Sequence, residues 1–161
     1  MSESTSSRRQ FLARSIGAFA AAGCPAIIPA SALGQGGTVP PSNKITIGCI
    51  GVGGMGTGNM KNFLALQGCR VVAVCDTYEE KRQKAKGLVD KAYGDSSCAT
   101  YGDFRELLAR KDIDAVMIAA QDHWHSLIAT AAAAAGKDMY CEKPMGVCVA
   151  DGQRIRDAVR Q

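Results

Sequence analysis

Three glycines, spaced Gly51-x-Gly53-x-x-Gly56, end a short β-branched run, and a carboxylate, Asp76, ends the next apolar run twenty residues further on. That spacing suits a pyrophosphate. Gly51 permits a tight turn, Gly53 lets phosphate approach bare main chain, and Gly56 lets the following helix lie close to the strand. Gly54 and Met55 complete the loop. Free N–H groups at the helix start then face the phosphates, helped by the helix dipole. Asp76 can accept hydrogen bonds from ribose hydroxyls and would repel a 2′-phosphate. No Arg follows it directly, so NAD is favoured over NADP as the cofactor. The bland alternative is a glycine-rich turn without ligand and an aspartate that only caps a helix.

A dinucleotide lies across the carboxyl ends of parallel strands, so the next strand ends matter equally. One runs out into Ala119-Ala120-Gln121-Asp122-His123-Trp124-His125-Ser126, the other into Cys141-Glu142-Lys143-Pro144. The pair His123 and His125 lacks a third ligand at metal spacing, so no metal is expected. Trp124 reads as packing at the cleft rim before it reads as a substrate clamp. From spacing alone, Lys143 reads first as a solvated loop lysine.

These residues need a scaffold that alternates strand and helix. Lys44–Ile50, Arg70–Asp76, Cys98–Tyr101, Ile113–Ala119 and Asp138–Cys141 read as strands. Helices are predicted at Asn59–Gln67 (stopped by Gly68), from Thr77 onward, after Asp103, at His125–Ala135 (stopped by Gly136) and at Val149–Arg160. Thr77 with Glu80, and Asp103 with Glu106, match the spacing of capping boxes. Ala85, Leu88, Val89 and Ala92 repeat at helical period, as a face against a sheet requires. Strands joined by right-handed helical crossovers run parallel with helices on both faces. The fold class is therefore α/β, a doubly wound parallel sheet of Rossmann type.

With these elements in place, the chain resembles the Gfo/Idh/MocA oxidoreductases, named for glucose–fructose oxidoreductase and inositol dehydrogenase. The likeness rests on Gly51-x-Gly53-x-x-Gly56, Asp76, the stretch Ala120 to His125, and Glu142-Lys143-Pro144. It implies that Lys143 stands near the nicotinamide and the substrate hydroxyl, as the catalytic group that polarises the reacting oxygen. It further implies that Glu142 holds the loop by pairing with a cation, that Pro144 carries a cis bond, and that Ala120, Gln121 and His125 lie by the cofactor with His123 a bystander. A small-molecule substrate of sugar or polyol type follows from the resemblance alone. Such proteins continue into a second α/β domain that covers the nicotinamide and often joins subunits. The present chain is expected to be truncated before that domain, and an oligomer is expected only if that domain is present.

Residues 1–32 are set aside as an address. Ser7-Arg8-Arg9-Gln10-Phe11-Leu12, a weakly apolar run and Ala30-Ser31-Ala32 read as a twin-arginine signal with its cleavage site, which places the product in the periplasm. Ala21-Ala22-Gly23-Cys24 offers a second ending, a lipid anchor at Cys24. Residues 33–43 are Gly/Pro-rich and read as a flexible lead-in to a single domain at 44–161. With 161 residues, 47% apolar and 21% charged, the chain is neither a disordered tail nor a coiled coil. A net charge of +4 without a basic run argues against nucleic acid. Cys49, Cys75 and Cys141 sit in strand-like runs, so buried thiols are expected instead of a disulfide framework. Three functional classes stand open at this point: the cofactor half of an exported oxidoreductase, a dinucleotide-binding module without chemistry, and a partner-binding α/β domain with a degenerate site.

Overall fold

A computed structural model describes residues 39–161. The twin-arginine segment, Cys24 and residues 33–38 of the lead-in lie outside the described residues. A 3-10 turn at Pro41–Asn43 leads into β1 (Ile45–Ile50). There follow α1 (Gly54–Leu64), β2 (Cys69–Cys75), α2 (Glu79–Tyr93), β3 (Ala99–Tyr101), α3 (Phe104–Leu108), β4 (Ala115–Ile118), α4 (Asp122–Ala134), β5 (Asp138–Cys141) and α5 (Val149–Val159). The five strands are all parallel, in the order β3-β2-β1-β4-β5. The order reverses at β1, so the carboxyl ends of β1 and β4 diverge into a crevice, where open sheets of this kind bind ligands.

Each face of the sheet has its own apolar layer. Ile47, Cys49, Val71, Val74 and Met117 pack with Met60 of α1 and Ala85 and Val89 of α2. Ile50, Ala73, Val116 and Ile118 pack with Leu107 of α3, Ile128 of α4 and Ile155 of α5. Buried on both faces, the central strands are near-continuous apolar runs, as parallel sheets demand. The cysteines of the described residues are all free. Burial pushes the Cys75 thiol up to about 12 and the Cys98 thiol up to about 11, so neither is reactive near neutrality.

Several expected boundaries move for identifiable reasons. Helix α1 starts at Gly54, five residues before the apolar pattern begins, because glycines carry no pattern although their backbone is helical here. It ends at Leu64, and Gly68 lies in the following turn without left-handed backbone. The Thr77–Glu80 capping box does not form: the N-cap of α2 is Tyr78, and Asp76 Oδ1 takes the Tyr78 N–H at 3.0 Å instead. Asp103 caps α3 as expected, accepting from the Arg105 N–H at 2.9 Å. Helix α4 starts at Asp122, which draws His125 into its first turns. It closes at Gly136, whose φ of 66° is left-handed. Ala92, expected on a packed face, is exposed.

The amino-terminal end of the sheet is tied by polar bonds far from the crevice. Lys137 Nζ donates to the carbonyls of Arg110 at 2.7 Å and Ile113 at 2.8 Å, joining α4's exit to the α3–β4 turn. Lys137→Met is expected to cost about 2 kcal/mol, since it leaves two partly buried carbonyls without a donor. Urea unfolding measures the loss, which should appear in the midpoint with an unchanged slope. No helix among the described residues is long and apolar enough to cross a membrane.

Candidate functional site

The crevice has a volume of about 420 Å³. Its floor is Gly51 with Gly53–Gly56. Asp76, Thr77 and Lys81 form one side, Gly102–Arg105 the far wall, and Ala119–Gln121 with Trp124 and Ile128 the opposite side. Of the residues expected around a cofactor, Gly51, Gly53, Gly54, Met55, Gly56, Asp76, Ala120 and Gln121 line one space. His125, Glu142 and Lys143 do not line it.

The three motif glycines differ in why they must be glycine. Gly51 has φ 81°, and a Cβ there would lie 2.5 Å from the Ala119 carbonyl oxygen. A Cβ on Gly56 would lie 1.8 Å from the Gly51 carbonyl oxygen, so α1 approaches the turn through that hydrogen. Both are demands of the fold. A Cβ on Gly53 or Gly54 would meet nothing within 4 Å. Among the described residues no contact requires glycine at those two positions, and both line the crevice.

The loop is held rigidly around this open space. Gly51 N–H donates to the Cys75 carbonyl at 2.8 Å, and Thr57 Oγ1 donates to the Val52 carbonyl at 2.8 Å. Asp76 Oδ2 accepts the Val52 N–H at 3.0 Å. Asp76 is thus half committed to the protein: each carboxylate oxygen takes one backbone N–H and keeps a lone pair for another donor. Among the described residues, no protein acceptor takes the N–H of Gly53, Gly54 or Met55. The first turn of α1 also carries no acidic residue, whereas those of α2, α3, α4 and α5 each hold one or two. The positive end of the α1 dipole is left uncompensated, as a site for an anion requires.

The second expected cluster stands beyond the crevice, at the carboxyl end of β5. Glu142 N–H donates to the Ile118 carbonyl at 2.9 Å, which seats Lys143 next to the end of β4. Lys143 is exposed, and no ion pair involves it among the described residues. The Lys143–Pro144 bond is cis. Glu142 does not pair with a cation. Its Oε1 accepts from Asn59 Nδ2 at 2.8 Å and from the Tyr140 hydroxyl at 3.2 Å, and its Oε2 accepts the Lys143 N–H at 3.1 Å. These donors hold the Glu142 carboxyl below the usual carboxylate range, Asn59 contributing most. His125, expected beside the cofactor, is 1% exposed, with Nδ1 against the Pro144 carbonyl oxygen. Sited in the first turns of α4 and below the rim, it anchors the loop. Trp124 packs edge-on against Phe104 with ring centroids 6.4 Å apart, and is 39% exposed at the rim. Among the described residues no group of three His, Cys, Asp or Glu side chains could hold a metal ion.

Sequence reasoning missed Asn59. It stands eight residues after Gly51 on a helix read as starting there, and its partner is 83 residues away. No local pattern marks such a residue.

A parallel sheet with uncapped main chain at its topological switch point defines a dinucleotide-binding α/β domain. The chain belongs to the GFO_IDH_MocA family, described as "Oxidoreductase family, NAD-binding Rossmann fold", which matches residues 45–161. It is 35% identical over 156 residues to a Glycosyl hydrolase family 109 protein of Shewanella amazonensis, covering 88% of this chain and 34% of that one. It is also 35% identical over 112 residues to Inositol 2-dehydrogenase of Salmonella typhimurium, covering 69% of this chain and 32% of the relative. Among solved structures, the myo-inositol dehydrogenase of Lactobacillus casei in complex with NAD(H) and myo-inositol superposes with a TM-score of 0.64 at 28% identity, over 71% of this chain and 33% of that one. The chain spans a quarter to a third of the length of the curated relatives it matches.

Proposed function

We propose that residues 44–161 bind NAD(H) and serve an oxidoreductase that moves hydride between the nicotinamide and the hydroxyl-bearing carbon of a sugar or polyol, the hydroxyl proton leaving as the carbonyl forms. The observation that carries this reading is the floor of the crevice. Among the described residues, no atom stands where a side chain on Gly53 or Gly54 would begin, and three adjacent N–H groups have no acceptor. A pyrophosphate fits both facts, because it needs close main-chain approach and supplies oxygen acceptors. Gly53, Gly54 and Met55 would hold the phosphates. Asp76 would take ribose hydroxyls with its remaining lone pairs, which supports NAD over NADP. Ala120 and Gln121 would flank the cofactor where β4 ends. When bound, the cofactor supplies the acceptor or donor of hydride. Lys143 is the catalytic residue of this proposal: its ammonium donates a hydrogen bond to the reacting oxygen and steadies the charge that develops there.

The substrate class is supported by the relatives, whose names join inositol oxidation and glycoside hydrolysis. Both involve rings bearing several hydroxyls. We assign the product to the exported compartment on the strength of Ser7-Arg8-Arg9-Gln10-Phe11-Leu12.

Trp124 is the only tryptophan and lines the crevice. NADH is expected to quench its emission saturably, with transfer to the dihydronicotinamide and a dissociation constant in the usual range of about 1 μM to 1 mM. Absence of saturable quenching and of sensitised NADH emission over that range would overturn the cofactor reading.

A further inference from the structure

We propose that Asn59 is a positioning residue for Lys143, acting through Glu142, so that the helix carrying the phosphate loop also sets the place of the lysine. This inference rests on the proposed function, in which Lys143 stands at the nicotinamide.

The geometry runs through the sheet. Among the described residues β5, four residues long, is hydrogen-bonded to β4, and the loop that leaves it begins at Glu142. A loop keeps its place only where its ends are tied. Besides the Glu142 N–H bond to the Ile118 carbonyl, side chains tie it from both faces. On one face Asn59 of α1 donates to Glu142 Oε1, and that carboxylate takes the Lys143 N–H with its other oxygen. Phe63, one turn further along α1, meets the Tyr140 ring edge-on at 5.8 Å, and the Tyr140 hydroxyl joins Glu142 Oε1. On the other face His125 of α4 contacts the Pro144 carbonyl. Lys143 therefore lies between two anchored main-chain groups while its own side chain is unpaired. The Asn59 link matters most for the proposed chemistry, because α1 begins at the glycine loop. A rigid helix then fixes the distance from phosphates to ammonium, and charge-assisted bonds of this kind are the strong ones.

The charge on Lys143 supplies the readout. Oxidised nicotinamide is cationic and the reduced ring is neutral, so a nearby ammonium weakens NAD⁺ binding relative to NADH. Loss of a loop tie through general loosening weakens both forms equally. Calorimetric titration of the full chain with NAD⁺ and with NADH gives the ratio of the two dissociation constants. Lys143→Met is expected to lower the NAD⁺ to NADH ratio about tenfold, the scale of a partly screened charge pair. Asn59→Ala is expected to lower it about threefold, with the double variant no different from Lys143→Met alone. Asn59→Asp, which keeps the shape of the side chain but repels Glu142, should lower it at least as far as Asn59→Ala. Equal weakening of both forms by Asn59→Ala, or additive effects in the double variant, overturns the role of Asn59. A ratio unmoved by Lys143→Met overturns the placement of Lys143 at the ring, and this inference with it. Failure of either nucleotide to bind overturns the cofactor reading itself.

Discussion

Gly53→Val should reduce NADH affinity at least 100-fold while leaving the protein as stable as before. In the folded chain a Cβ at residue 53 meets nothing within 4 Å, and the residue's φ of −67° is negative, as L side chains require. Stability is therefore expected to stay within about 0.5 kcal/mol, as for a surface change that breaks no contact. The added methyl groups would occupy the space above the loop N–H groups, where a phosphate must sit. Gly56→Ala should do the reverse in kind. Its Cβ would stand 1.8 Å from a backbone oxygen, not from a side chain that can turn away, so α1 must move off the sheet. A loss of about 3 kcal/mol is expected, at the upper end of overpacking costs. Thermal melting and Trp124 quenching, measured on both variants, separate the two roles. Unchanged affinity in Gly53→Val would count against the loop as a phosphate site.

Asp76→Ala is the second large effect, and the structure makes it a compound one. The carboxylate accepts the N–H groups of Val52 and Tyr78, so its removal strips two bonds that hold the loop and start α2. A cost of about 1–3 kcal/mol is expected from the unpaired donors. NAD affinity should also fall by at least tenfold, with NADP weakened less, because a 2′-phosphate no longer meets a carboxylate. Lys81, which lines the same side of the crevice with its ammonium over the Tyr78 ring at 4.3 Å, would then be a cation available to such a phosphate, as would Arg105 on the far wall. Competition titrations with NAD and NADP decide the matter. If both affinities fall by the same factor, Asp76 acts only by holding the loop and does not choose between cofactors.

The family resemblance and the alternating α/β plan were legible because each depends on residues close together in the chain. Strand runs such as Val71–Cys75 show as unbroken apolar stretches, since both faces are covered. The glycine spacing shows because turn, approach and packing all occur within six residues. Helix α1 was read short for the opposite reason: Gly54, Gly56 and Gly58 leave no apolar pattern, and their helicity is imposed by packing on the sheet. The Thr77–Glu80 pattern misled because Asp76, one residue upstream, takes the Tyr78 N–H and the helix starts one residue later than the box requires.

The roles of individual side chains divide along the same line. The order of elements, the turn at Gly51 and the anion-ready start of α1 follow from local stereochemistry, and the chain alone determines them. Which helices meet the loop after β5 does not follow locally. Only when β4 separates β5 from β1, with α1 on one face and α4 on the other, do Asn59 and Glu142 come within hydrogen-bond reach and does His125 turn inward to Pro144. Those contacts join positions 83 and 19 residues apart. They are decided by the stacking of layers, where burial of apolar faces selects the arrangement and polar partners are found afterwards.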